Sequence, residues 1–383
     1  MNRTYIVLFL VIVILGSLGT AVYMFQTRKL SAVQWDKVHI AEAMIDAKDY
    51  DNAVKTLLPA VQVGKRFDGA SRAIYDLARA YEGTGSGEAL VLWERLVREF
   101  PTGEYTDVAR LHIAEGLISK NPQQARTMYQ EMEKSPKDEI RARATLGVAR
   151  TFEAENKLDE AGKLYKQILD ATADLSVQAP AKDFLSKIHS QLLWSPALDE
   201  FCQLYEVERG DSPAKIGQKF KTTAWFVDEA NRLEGRPLRL GRKIKVPKEP
   251  FWIVVDKGSC RLNLLTESGK FIKWYLVGIG EQSYKTPAGE YSITTKEIDP
   301  TWFRTTGGII PPGADNNALG TRWMGYARGL GIHGTNAPET IGFRKSAGCI
   351  RMYNQEVEEL YKLVTYGTRV TILEGTETVK TPS

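Results

Sequence analysis

A cysteine and a histidine near the C-terminal end are suited to covalent chemistry. Cys349 lies in Ser346-Ala347-Gly348-Cys349-Ile350-Arg351-Met352, and His333 lies sixteen residues earlier in Gly331-Ile332-His333-Gly334-Thr335. Of the four histidines, the other three (His39, His112 and His189) are scattered singly before residue 190 and read as structural or exposed side chains. A thiol is a weak nucleophile at its free pKa. It becomes effective when an imidazole takes its proton and a cation or backbone N–H groups hold the thiolate. This stretch offers a base (His333), a nucleophile (Cys349), a cation (Arg351) and glycines through which backbone N–H groups reach a substrate. The plain alternative is that Cys349 is a small buried hydrophobe. Ser-Ala-Gly before it reads as a turn, and Ile-Arg-Met after it as the start of an element. A helix beginning there would lower the thiol pKa.

The elements that must carry this pair read as a mostly-β domain. Trp252 to Asp256 is an apolar strand, and Lys257-Gly258 and Glu267-Ser268-Gly269-Lys270 are turns. Further strands are expected over 273–279, 291–295 and 369–373. A helix with apolar residues at Val357, Leu360, Tyr361 and Val364 is expected over 356–365. Residues 299–331 form a long Gly/Pro-rich stretch, expected to be a loop that acts as a lid. Its aromatics Trp302, Phe303, Trp323 and Tyr326 either contact substrate or belong to the core.

The pattern H-G-T…S-x-G-C-I-R-M resembles the L,D-transpeptidase (YkuD) catalytic domain of bacterial cell-wall enzymes. The resemblance runs from about Phe251 to Glu374. It includes Arg261-Leu262-Asn263-Leu264-Leu265, Lys285-Thr286-Pro287-Ala288-Gly289-Glu290-Tyr291, Pro311-Pro312-Gly313, Asn317-Ala318-Leu319-Gly320 and Tyr366-Gly367-Thr368-Arg369-Val370. Many members carry His where this chain has Ala347. The resemblance implies that the Cys349 thiolate attacks an L-centre amide in a tetrapeptide stem of peptidoglycan and releases D-alanine. The acyl group then passes to an amine on another stem. His333 moves the proton, oriented by the Gly334 carbonyl. Backbone N–H groups of Gly348 and Cys349 form the oxyanion hole. Arg351 holds the thiolate or a substrate carboxylate, or else makes a structural ion pair. Ser346 bonds the turn or the substrate, and Trp323 and Tyr326 line the substrate site. Water as acceptor would make the enzyme an L,D-carboxypeptidase, and a protein amine would make it a wall-attachment enzyme. A non-catalytic wall-binding scaffold is the reading from another class. No metal or organic cofactor is implied.

Upstream, the 383 residues leave room for more domains. The 51 basic and 47 acidic side chains nearly balance, at +4, with no long Lys/Arg block, which argues against nucleic-acid binding. Three cysteines leave at least one free thiol; Cys202 and Cys260 read as core thiols, with a bridge between them as the alternative. Tyr5 to Phe25 is an uncharged apolar run long enough to cross a bilayer, so residues 1–29 read as a signal anchor or a cleaved signal. The wall chemistry then places residues 30–383 outside the cytoplasmic membrane.

Residues 30–194 read as helical. Ala53, Ala89, Ala125 and Ala161 recur every 36 residues, each followed one turn later by Leu57, Trp93, Tyr129 or Tyr165. The pattern resembles tetratricopeptide-like (TPR-like) repeats, which would serve as a spacer or protein-binding scaffold; an ordinary helical bundle is the alternative. Residues 201–249 read as strand, helix, helix, strand. They resemble a LysM domain through Tyr205-Glu206-Val207, Gly210-Asp211-Ser212, Ala230-Asn231-Arg232-Leu233 and Val246-Pro247. That resemblance implies binding of N-acetylglucosamine-containing glycans near Gly210, Asp211, Ser212 and Asn231. The segment's 11 basic and 7 acidic side chains suit an anionic polymer. The whole is therefore a multidomain chain: membrane helix (1–29), helical repeats (30–194), LysM domain (201–249), mostly-β catalytic domain (250–374) and tail (375–383).

Overall fold

The computed structural model describes residues 31–283, 285–304 and 307–375. The apolar run Tyr5–Phe25 and residues 376–383 of the tail lie outside the described residues. Among the described residues no helix is long and apolar enough to cross a membrane. The chain divides into two compact units, Met1–Gln178 and Ala179–Ser383.

The first unit is helical. After α1 (31–46) come α2 (Tyr50–Val63), α3 (Ala70–Thr84), α4 (Glu88–Glu99), α5 (Thr106–Leu117), α6 (Pro122–Met132), α7 (Asp138–Ala154) and α8 (Leu158–Ala171). From α2 to α8 each helix packs on the next. The 36-residue period is two helices long, so its Ala and large residues fall on α2, α4, α6 and α8. Leu57, Trp93, Tyr129 and Tyr165 are all buried there. Small residues let the large ones in: a Cβ at Gly147 of α7 would come within 2.3 Å of the Tyr129 ring. Sequence signals set the ends. Asn121 caps α6 by accepting from Gln124 N, with Pro122 next, and Pro101 comes just after Phe100, the C-cap of α4.

From α9 (Leu175–Leu193) the chain enters the second unit, where β1 (Cys202–Glu206), α10 (Pro213–Lys219), α11 (Ala224–Ala230) and β2 (Lys243–Pro247) follow in the expected order. β1 and β2 pair antiparallel over a small core of Val207, Ile216, Val227, Leu233, Ile244 and Val246. Ser212 and Thr223 cap the two helices through Lys215 N and Phe226 N.

The rest is mostly β: β3 (Phe251–Asp256), β4 (Arg261–Thr266), β5 (Phe271–Leu276), β6 (Ile279–Gly280), β7 (Gly289–Ser292), β8 (Thr295–Ile298), β9 (Trp302–Phe303), β10 (Ile309–Ile310), β11 (Arg322–Ala327), β12 (Leu330–His333), β13 (Arg344–Ser346) and β14 (Ile350–Arg351), then α12 (Asn354–Leu363) and β15 (Arg369–Leu373). A five-stranded sheet runs β5-β4-β3-β15-β7, and a four-stranded sheet runs β14-β12-β11-β8. One core joins them: Ile253 and Val255 of the first sheet cluster with Met324, Ile332 and Ile350 of the second and with Val357 and Leu360 of α12.

Two expectations are corrected. The stretch 299–331 is not one long loop: it holds the β9–β10 hairpin and most of the β11–β12 hairpin, and apart from Gly325 and Gly331, which lie in strands, its glycines and prolines fall between the strands. No helix starts behind Cys349. Strand β14 does, because β12 offers Ile332 and His333 as parallel partners for Ile350 and Arg351.

Candidate active site

Strand pairing places the cysteine and the histidine together. In the parallel ladder Ile332 pairs with Ile350 and His333 with Arg351. Side chains alternate across a sheet, so Ile332 and Ile350 point into the core, where both are fully buried. His333, Arg351 and Cys349 share the other face, and Cys349 comes level with Gly331. A parallel pair needs a crossover of a dozen or more residues, and the sixteen-residue step from His333 to Cys349 supplies it.

Around the sulfur the backbone is close. Cys349 is half-buried, and its Sγ donates to the Gly329 carbonyl at 3.7 Å. Burial pushes the thiol pKa up; the Gly331 N–H and the Arg351 guanidinium pull it down by less. A Cβ at Gly331 would fall 2.7 Å from the Trp323 ring, so only a bare backbone fits between that ring and the thiol. The expected lowering of the Cys349 pKa is thus reversed, because desolvation outweighs both favourable neighbours.

His333 is buried. Its Nδ1 lies 2.6 Å from the Gly334 carbonyl, which assigns the proton to Nδ1 and the lone pair to Nε2. Burial pulls its pKa down to about 4, and the Arg351 charge adds to that, against the Gly334 and Leu319 carbonyls. Trp323 stacks on the imidazole, with centroids 5.6 Å apart and planes at 23°, and its Nε1 donates to Thr295 Oγ1 at 3.2 Å. At neutral pH the resting site therefore holds a neutral imidazole beside a protonated thiol.

The turn before the nucleophile is tightly held. Ser346 is buried; its hydroxyl donates to the Cys349 carbonyl at 2.6 Å and accepts from Gly348 N at 3.2 Å. Of the two roles expected for Ser346, it fills the one within the turn. Gly348 has φ +103°, a conformation that favours glycine. Its N–H is spent on Ser346, which corrects its expected place in the oxyanion hole. Its carbonyl accepts from Thr286 Oγ1 at 2.9 Å, and Thr286 Oγ1 in turn accepts from Gly280 N. Arg351 donates to Thr340 Oγ1 at 3.3 Å, and among the described residues no carboxylate pairs with it. The expectation of a structural ion pair is not met there, and its charge stays available beside the sulfur.

Tyr326 is corrected as a substrate platform. It sits at the β11 bulge, 3% exposed, with its ring against Tyr291. Asn354 is a residue that the sequence reading missed. Its Oδ1 accepts from Thr335 N at 3.0 Å and Thr321 N at 3.4 Å, and its Nδ2 donates to Thr335 O at 3.1 Å. Cβ atoms at Gly320 and Gly334 would lie 2.2 and 2.1 Å from that oxygen. Asn354 thus clamps the peptide that orients His333. An Asn beside a helix start signals a cap in sequence; here it braces a neighbouring loop.

Comparison with known proteins agrees with this geometry. Residues 250–372 match the L,D-transpeptidase catalytic domain (YkuD). The chain is 37% identical over 135 residues to YqjB of Bacillus subtilis (strain 168), named as an L,D-transpeptidase, covering 34% of this chain and 74% of that one. It is 33% identical over 177 residues to the similarly named YkuD of Bacillus licheniformis, covering 44% of this chain and 98% of that one. The chain belongs to the L,D-transpeptidase (YkuD) family. The catalytic domain of the E. faecium L,D-transpeptidase, solved by NMR, is 28% identical, with a TM-score of 0.28 over 33% of this chain and 98% of that one. Residues 250–383 make up about 35% of the chain. The 44% shared with the B. licheniformis transpeptidase therefore reaches ahead of residue 250.

In that upstream part of this L,D-transpeptidase, the residues expected to bind glycan are largely occupied. Asn231 is buried, donates to the Val227 and Lys245 carbonyls and accepts from Lys245 N, which corrects it as a glycan contact. Asp211 accepts from Tyr205 Oη and Glu208 N, each at 2.8 Å, and Ser212 caps α10. Gly210 is exposed with φ +90°, at the turn that leads into α10. All three cysteines are free, and Cys202 and Cys260 are buried. Among the described residues no group of three or more His, Cys, Asp or Glu side chains is placed to hold a metal ion.

Proposed function

We propose that this chain cross-links peptidoglycan through an acyl-enzyme on Cys349. The carrying observation is the one-face arrangement of Cys349, His333 and Arg351 on paired parallel strands, in a domain of the L,D-transpeptidase family. His333 takes the thiol proton as the Cys349 sulfur bonds to the carbonyl carbon of the stem's L-centre amide. The tetrahedral intermediate collapses, the C–N bond breaks, and His333 returns the proton to the departing D-alanine amine. An acceptor amine then attacks the thioester, loses its proton to His333 and frees the thiol. The Gly331 N–H, which already faces the sulfur, stabilises the thiolate together with Arg351.

The upstream parts fit the same reading. Residues 201–249 act as a LysM-like wall-binding module, and the helices of the first unit as TPR-like repeats that space the enzyme or bind a protein partner. Residues 1–29 anchor the chain in the cytoplasmic membrane, with the remainder in the cell envelope on its outer side. The repeated buried pairs of Ala and a large residue, and the strand-helix-helix-strand order, support these assignments.

The deciding experiment incubates the protein and its Cys349→Ala variant with a purified disaccharide-tetrapeptide and follows products by mass spectrometry. The expected result is a cross-linked dimer lacking one D-alanine, at least about 10³-fold reduced in the variant. D-alanine loss without dimer identifies the carboxypeptidase instead. Undiminished activity in the variant would refute Cys349 as nucleophile.

A further inference from the structure

The second unit has a concavity away from the cysteine. It is a cleft of about 730 Å³ between the strand-helix-helix-strand module and the catalytic domain, within the range of ligand sites. One wall comes from the end of α10 and the start of α11, including Thr222 and Trp225. The other includes Lys296 of β8, Tyr361 of α12 and Tyr366. Lys296 pairs with Met324, whereas Trp323 pairs with Glu297 and His333. By strand alternation Lys296 therefore projects from the opposite face of the four-stranded sheet to the catalytic pair. Its Nζ reaches the Tyr361 and Val364 carbonyls on that side.

Two observations mark the cleft as a binding site. Trp225 and Tyr366 are 44% and 66% exposed, one on each wall. The lining also carries the exposed polar side chains Gln218, Lys221 and Glu267. A ligand that satisfies both features has an apolar face to lie on aromatic rings and hydroxyl or amide groups at its edge. A pyranose with an acetamido group has both. An apolar peptide or a lipid tail would desolvate those polar side chains without pairing them.

We propose that this cleft binds the N-acetylhexosamine strand of the wall polymer, at a site separate from Gly210–Ser212 and Asn231 and behind the catalytic face. The proposal rests on the reading above that the polymer is peptidoglycan. Held there, the strand fixes the enzyme to its polymer and leaves the catalytic face free for peptide stems.

The test uses the full chain in detergent, titrated calorimetrically with the pentamer of N-acetylglucosamine, while turnover is followed on a tetrapeptide stem that carries no sugar. We expect the pentamer to bind without inhibiting turnover. In Trp225→Ala/Tyr366→Ala its Kd should rise at least about tenfold, with turnover of the sugar-free stem unchanged. Trp225→Gln alone repeats the measurement if the double variant unfolds. Absence of pentamer binding, unchanged affinity in the folded variants, inhibition by the pentamer, or loss of sugar-free turnover in the variants would each overturn the proposal. Pentamer binding is read without turnover, so wild-type inactivity toward the stem counts against the proposed function alone.

Discussion

The protonation states of two side chains govern the chemistry. Burial raises the Cys349 thiol pKa and lowers that of His333 to about 4. The resting pair at neutral pH is thus thiol and imidazole rather than thiolate and imidazolium, and proton transfer accompanies attack. Alkylation of Cys349 by iodoacetamide should therefore rise through one transition above the ordinary thiol range, with no reactive plateau between pH 4 and 8. Arg351→Met removes a charge that favours the thiolate, so its transition should move to higher pH. A shift downward would show that the guanidinium does not act on the sulfur. His333 also links stability to pH. Between the ordinary histidine value near 6.5 and about 4, the unfolded chain binds a proton that the folded site refuses, so stability falls as pH falls through that window. The effect is on the order of 3 kcal/mol. Glu356, raised to about 7 by burial, acts in the opposite sense, so the measurable quantity is a difference. Urea midpoints of His333→Gln should lose less on acidification from pH 6.5 to 4 than those of wild type.

At the scale of elements, the site depends on loops braced from α12 and from the irregular segment that leads into β7. Asn354→Ala removes three hydrogen bonds to the peptides around His333. We expect kcat to fall roughly tenfold to a hundredfold with little change in KM, as displacement of a catalytic group predicts. Stability should fall by about 1–3 kcal/mol. Asn354→Asp keeps the Oδ1 acceptor for both N–H groups and should recover part of the loss in kcat. Equal loss in both variants would reduce Asn354 to a packing residue. Thr286 braces the nucleophile turn in the same way, and its motif was visible in sequence while its role was not. The motif shows which residues recur, not that Thr286 Oγ1 reaches the Gly348 carbonyl across 62 residues.

At the scale of the whole second unit, one buried cation ties the segment behind α9 to the strand-helix-helix-strand module. Lys245 is 1% exposed; its Nζ lies 2.6 Å from Asp199 Oδ2 and donates to the carbonyls of Leu192, Ser195 and Ala197. Removing one member of a buried pair leaves the other charge uncompensated, at about 3–5 kcal/mol. Lys245→Met should lower the urea midpoint accordingly, and Lys245→Met/Asp199→Leu should regain most of it. If the single variant is as stable as wild type, the pair does not hold these segments together.

What can be read from this chain alone is what near neighbours dictate. Cap residues, apolar alternation and the 36-residue recurrence of Ala and large residues place the helices and most strands. A Cys and a His sixteen residues apart, set among glycines, mark the reactive pair. Tertiary structure decided what depends on distant segments. Strand β12 had to be in place before Ile350 and Arg351 could become a parallel partner instead of a helix. Packing around the site, not residue type, keeps the thiol protonated and the imidazole neutral, because desolvation is a property of surroundings. Asn231 and Tyr326 look like ligand contacts in sequence, yet both are buried. The glycan platform proposed in the cleft needs walls from α11 and from the loop after α12, about 140 residues apart in the chain. No local pattern reports that such walls meet.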